Sequence, residues 1–122
     1  MRRARISLVA GSVLTAMALL TAEAFAISIT VEDYQHPDQP EFRPMFQMYL
    51  DGAKDGLITY DLALMSKNKQ SLFCIPDNLA LTVEQTEDIV LRWAKKHKEP
   101  AANLDITIAL LFAFQETFPC NR

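Results

Sequence analysis

The sequence predicts an all-α fold, a small bundle of three or more helices closed by one disulfide and preceded by an extended N-terminal arm. Three observations carry that expectation. Apolar residues recur every three or four positions through two long segments, and a third segment is apolar nearly all round. Half of the 122 residues are apolar and only three are glycine, which is the composition of a packed domain and not of a disordered chain. Two cysteines, Cys74 and Cys120, both follow an export leader.

Residues 1–26 read as that leader. Arg2, Arg3 and Arg5 form a positive start, Ile6 to Thr21 carries no charge, and Ala24-Phe25-Ala26 places small residues where a signal peptidase reads them. A membrane anchor needs roughly 20 consecutive apolar residues. This run is shorter and broken by Ser7, Gly11, Ser12 and Thr15, so cleavage after Sec export is the expectation. The product, residues 27–122, is a single domain of the periplasm or the secreted fraction. Cleavage removes three of the 12 basic residues and one of the 15 acidic ones, leaving nine against 14, a net charge of −5. An acidic domain has no electrostatic attraction to nucleic acid or to an anionic membrane surface. In an oxidising compartment the two cysteines read as one bridge, closing a loop worth roughly 4 kcal/mol of chain entropy.

The elements follow in order. Ile27-Ser28-Ile29-Thr30-Val31-Glu32 alternates apolar and polar residues ahead of Pro37 and Pro40, so the arm is extended, either a lone strand or a segment lying on the surface. The first long helix is expected from Glu41 to Ser66, with Phe42, Phe46, Tyr49, Ala53, Leu57, Tyr60 and Leu64 as its inner stripe. Pro44 falls in its first turn, where a missing N–H costs nothing. Gly52 and Gly56 are placed on or near the inner face, letting another helix approach. A loop, Ser71 to Asn78, is tethered by the disulfide. Thr82 opens the second helix, with Gln85 as its capping-box partner and Val83, Thr86, Ile89, Val90, Trp93, Ala94 and His97 inside. Its acidic residues come early and its basic residues late, as the helix dipole favours. Pro100 begins the third helix, continuous to about Phe118 and central to the bundle.

Catalytic and metal-binding patterns are not found, and no cofactor is expected. Asp51-Gly52-Ala53-Lys54-Asp55-Gly56 imitates the start of a calcium loop. However, its third position is Ala53 and its twelfth is Leu62, where an oxygen ligand and a bidentate Glu are required. His36 and His97 have no neighbouring cysteine or second histidine in sequence, and Ser66 and Ser71 are ordinary loop serines. Asp51 with Asp55 and Glu84 with Asp88 read as solvated acidic faces. The chain is therefore expected not to be an enzyme. One feature points outward: Met48, Ile58, Leu62 and Met65 lie off the main stripe of the first helix. They either meet the N-terminal arm or form an exposed patch for a second copy or another protein, and methionines suit an adaptable contact.

Several short motifs then align with a known pattern. Tyr49-Leu50-Asp51-Gly52-Ala53-Lys54-Asp55-Gly56, Phe73-Cys74-Ile75-Pro76 and Phe118-Pro119-Cys120 resemble the Rap1a/Tai family in its YL-x-G-x-x-D-G helix, C-x-P loop and F-P-C ending. The likeness runs from about Phe42 to Cys120, with one modest departure at His97-Lys98-Glu99-Pro100. It implies a helical periplasmic protein that binds and blocks a peptidoglycan-cleaving amidase, an effector delivered by a type VI secretion system. On that reading the matched Tyr49, Gly52, Asp55, Gly56, Cys74, Pro76, Phe118, Pro119 and Cys120 mostly hold the fold. The expected contact residues lie elsewhere: Met48, Ile58, Leu62 and Met65 as a partner or homodimer face, with Lys67 and Lys69 in one turn and Lys95, Lys96 and Lys98 in another. The competing reading is a periplasmic chaperone or envelope-stress protein with many weak clients.

Overall fold

A computed structural model of the chain describes residues 28–121, so the leader expected over residues 1–26 lies outside the described residues. Five helices make up the described fold: α1 (Val31–Gln35), α2 (Arg43–Ser66), α3 (Val83–His97), α4 (Glu99–Ala102) and α5 (Ile106–Thr117), with a 3-10 turn at Pro40–Phe42. The bundle core is formed by α2, α3 and α5, which pack on one another in all three pairings. The all-α class and the disulfide are as the sequence predicts.

The N-terminal arm is more than a surface strap. Thr30 makes an isolated antiparallel bridge with Asp105, framed by Val31 N–H donating to Leu104 at 2.9 Å and Ile106 N–H donating to Ile29 at 2.8 Å. Extended geometry then stops at once, because Thr30 and Asp33 close a complete capping box and start α1. Ile29, Val31 and Tyr34 are buried, so this short segment contributes to the core.

Helix α2 begins within two residues of its expected start, and Phe46, Tyr49, Ala53 and Leu57 face the core as expected, but the fully inner line is shifted. Phe46, Leu50, Lys54 and Asp61 are the buried positions, whereas Phe42 and Tyr60 are exposed. Gly52 and Gly56 are corrected with them. Both face outward, and a Cβ built on either meets nothing within 4 Å. They do not admit a neighbouring helix of this chain. Two residues past the helix end comes Asn68, whose φ of 53° is the left-handed stop that asparagine tolerates best after glycine.

Helix α3 matches its prediction closely. Thr82 and Gln85 form both halves of the capping box, and Thr86, Ile89, Val90 and Ala94 are buried. His97 is the exception, lying exposed at the helix end. The third expected helix is interrupted. After α4, residues 103–105 turn, and the Asp105 carboxylate accepts the Thr107 N–H at 2.8 Å to begin α5 afresh. The break lets residues 104–106 pair with the arm. Helix α5 is the central one, with Ile106, Ala109, Leu110, Ala113 and Phe114 sealed from solvent while Ile108 and Phe112 are exposed.

Cys74 and Cys120 are bonded, with S–S 2.02 Å, and Cys74 N–H donates to Phe118 at 2.8 Å. Phe73 buries its ring edge-on against Phe114 at 5.2 Å, and Phe114 meets Phe118 in the same manner at 5.9 Å. The long loop after α2 is thus pinned to the end of α5 by one covalent bond and an aromatic chain.

Candidate functional site

An apolar groove of about 420 Å³ opens between the C-terminal half of α2 and the loop 71–79. One wall is Ile58, Leu62 and Met65, spaced so that one side of the helix presents all three. Leu62 and Met65 remain 59% and 54% exposed, too much for large apolar groups that serve only the core. The opposite wall is Phe73, Ile75 and Leu79 from the loop, with the disulfided Cys74 beside them.

The charged lining of the groove is Asp61 and Asp77. Asp61 is only 6% exposed. Its carboxylate accepts the Leu72 N–H at 2.5 Å and a bond from the Ser71 hydroxyl, which fastens the loop to α2. Neither Asp61 nor Asp77 forms an ion pair among the described residues, in contrast to the other acidic residues of α2. Asp51 and Asp55 both contact Lys54, at 2.7 and 3.3 Å, and Lys54 also donates to the Leu81 carbonyl at 3.2 Å. The Asp51 hydrogen bond is the main reason the Lys54 ammonium is held above its ordinary range. The segment that imitates a calcium loop has therefore committed its two carboxylates to an internal cation.

The structure divides the expected contact face. Ile58, Leu62 and Met65 come together in the groove; Met48 does not join them. It is 76% exposed and lies ten residues before Ile58 on α2, about 15 Å along the axis at 1.5 Å per residue. Lys67 and Lys69 are exposed in the turn that ends α2. Lys95 and Lys98 line a separate cleft of about 680 Å³ along α3, together with Arg43, Glu87, Asp88 and Arg92. Two ion pairs lie within that cleft, Arg43 with Glu87 at 2.6 Å and Arg92 with Asp88 at 2.9 Å. Lys96 points to neither place and pairs with Glu116.

His97 has a partner that sequence spacing did not reveal. Its Nε2 lies 3.0 Å from Glu116, nineteen residues away, and its ring stacks on Trp93 at 4.4 Å. Lys96 first, then His97, hold the Glu116 carboxyl below its ordinary range. No group of three or more histidine, cysteine, aspartate or glutamate side chains able to hold a metal occurs among the described residues. No described helix is long and apolar enough to cross a membrane.

Sequence reasoning found the α2 wall of the groove and missed the other. Phe73, Ile75 and Leu79 carry no periodic signal, because they belong to a loop whose position depends on Asp61 and the disulfide.

The described residues thus form a small helical domain tied by a single disulfide and carrying an exposed apolar groove. A profile describing Rap1a immunity proteins matches residues 15–120. That span is most of the chain, and the chain belongs to the Rap1a immunity protein family. No curated protein and no solved structure matches it.

Proposed function

We propose that this chain is an exported immunity protein. It acts in the periplasm, binding a peptidoglycan-cleaving amidase effector of a type VI secretion system and holding it inactive. Family membership is the observation that carries this reading. The groove between α2 and the loop supports it, since a binding protein needs an accessible apolar surface on a rigid frame. Inhibition by occlusion requires no catalytic group in the inhibitor. It requires a surface that remains shaped when the partner arrives, and the disulfide and the Asp61 bonds supply that rigidity.

The test is inhibition. An amidase effector that co-purifies with the oxidised chain is titrated while peptidoglycan cleavage is followed. Cleavage is expected to stop at one chain per effector. Leu62→Asp with Met65→Asp is expected to weaken inhibition at least about 100-fold, the loss of a pair of buried apolar anchors. Because both residues are exposed in the free chain, it is expected to fold as before, with a melting temperature lowered by no more than about 10 °C. Many proteins retained weakly, with no amidase among them, would replace this function with that of a chaperone.

A further inference from the structure

We infer that the groove between α2 and the loop recognises a cationic side chain, lysine or arginine, carried on an apolar segment of the partner. The inference rests on reading this groove as the partner-facing surface and adds the chemistry of what enters it.

Three observations lead there. The walls are apolar and partly exposed, Ile58, Leu62 and Met65 facing the loop, so the body of the entering group is apolar. The charges in the lining have one sign, Asp61 deep and Asp77 at the exposed rim, and neither is ion-paired among the described residues. Exposed acidic groups such as Glu41, Glu84 and Glu99 also form no ion pair among the described residues, but water solvates them, whereas Asp61 is buried. The third observation is capacity. An ionised carboxylate offers about four acceptor positions. Asp61 uses one oxygen for the Leu72 N–H and the other for the Ser71 hydroxyl, which leaves half of that capacity available.

A buried carboxylate in an apolar slot is costly alone and becomes favourable when a cation with hydrogen-bond donors reaches it. A lysine or arginine has that form: an aliphatic stem for the walls and a charged tip for the acid. A neutral apolar residue would fill the slot and leave Asp61 without its counter-ion. An acidic residue would be repelled.

The probes are hexylammonium, hexanol and hexanoate, which share one aliphatic stem. Each is titrated into the purified, oxidised chain while methyl resonances of Ile58, Leu62, Met65 and Leu79 are followed by NMR. At pH 7 an alkylammonium is protonated, as lysine is. Hexylammonium is expected to bind in the groove about tenfold more tightly than hexanol, the worth of one charge-assisted hydrogen bond, and hexanoate not to bind. Asp61→Asn is expected to erase the preference for the ammonium while hexanol binding persists, which also reports that the groove is intact. Asp77→Asn, at the rim, is expected to reduce the preference about twofold without touching the fold. Equal binding of hexylammonium and hexanol to the unaltered chain would overturn the inference, whatever the variants do. So would a preference that survives both substitutions. A groove indifferent to charge in a chain that still inhibits its amidase would remove this inference alone. Ammonium selectivity in a chain that inhibits no amidase would remove the proposed function and leave the groove's chemistry standing.

Discussion

Lys54 is a cation inside the bundle, 8% exposed on the face where a helix normally places leucine. Its ammonium joins three things: the Asp51 carboxylate of its own helix, Asp55 next to it, and the Leu81 carbonyl just ahead of α3. Lys54→Met keeps the aliphatic stem and removes the charge. It leaves the Leu81 carbonyl without this donor and two carboxylates without their cation. The expected cost is about 1–3 kcal/mol, read as a lower urea midpoint with an unchanged slope. Tyr34 is the converse case. It is sealed from solvent, stacks on Phe46 at 6.2 Å, and its hydroxyl has no hydrogen-bond partner within normal geometry. Burial, reinforced by the Glu87 carboxylate, pushes the phenol far above its ordinary range. Removing an unpartnered buried hydroxyl relieves its desolvation, so Tyr34→Phe is expected to leave stability unchanged or raise it by up to about 1 kcal/mol in the same assay. The inner line of α2 passes through Lys54 and Asp61, which spacing alone cannot place inside: Lys54 joins its own helix to the Leu81 carbonyl, and the partners of Asp61 are Ser71 and Leu72 in the following loop.

At the scale of elements, the contrast between α2 and α3 explains which parts were legible. Helix α3 has its start, its polarity and its buried face written locally. Thr82 and Gln85 cap it, acidic residues precede basic ones, and the apolar spacing is regular. Helix α2 has no side-chain cap and two interior glycines, and aromatic residues lie on both of its faces. Of the apolar stripe through Phe42, Phe46, Tyr49 and Tyr60, packing keeps Phe46 buried and Tyr49 against the core, leaves Phe42 and Tyr60 exposed, and brings Leu50 inside. Helix α1 and the break before α5 were hidden for a related reason. The capping signals at Thr30 and Asp105 are present, yet the alternation of 27–32 and the apolar run of 104–114 overlie them. The glycines give the sharpest test of the shifted inner line. With open space where each Cβ would stand, Gly52→Ala and Gly56→Ala are each expected to stabilise the chain by about 1 kcal/mol. Had they lain inside, as the stripe implied, both would destabilise it by crowding. Equilibrium unfolding of the two single variants and the double decides between these placements.

For the whole molecule, the disulfide determines how far the bundle depends on its own packing. The three long helices meet in a shared core without it. The bond instead joins the two segments that stand outside the helices, the loop bearing Phe73 and the tail bearing Phe118. Its sequence separation is 46, and a closed loop of that length restricts the unfolded chain by about 4 kcal/mol. A domain of this size has about 5–10 kcal/mol in total. The Cys74→Ser, Cys120→Ser double variant is therefore expected to fold at 25 °C with its helical circular dichroism intact. It is expected to melt at least about 15 °C lower, since 1 kcal/mol moves the midpoint of a domain this small by about 4–8 °C. The groove gives the same variant a second readout. Its loop wall keeps the Asp61 bonds but loses its covalent tie, so exchange of the amides of residues 73–79 is expected to quicken more than that of α3 or α5. Uniform acceleration across all helices would instead mean that the bond acts through the unfolded state alone. In that case the wall would be held by Phe73 and Asp61, and inhibition would survive reduction as long as the chain stayed folded.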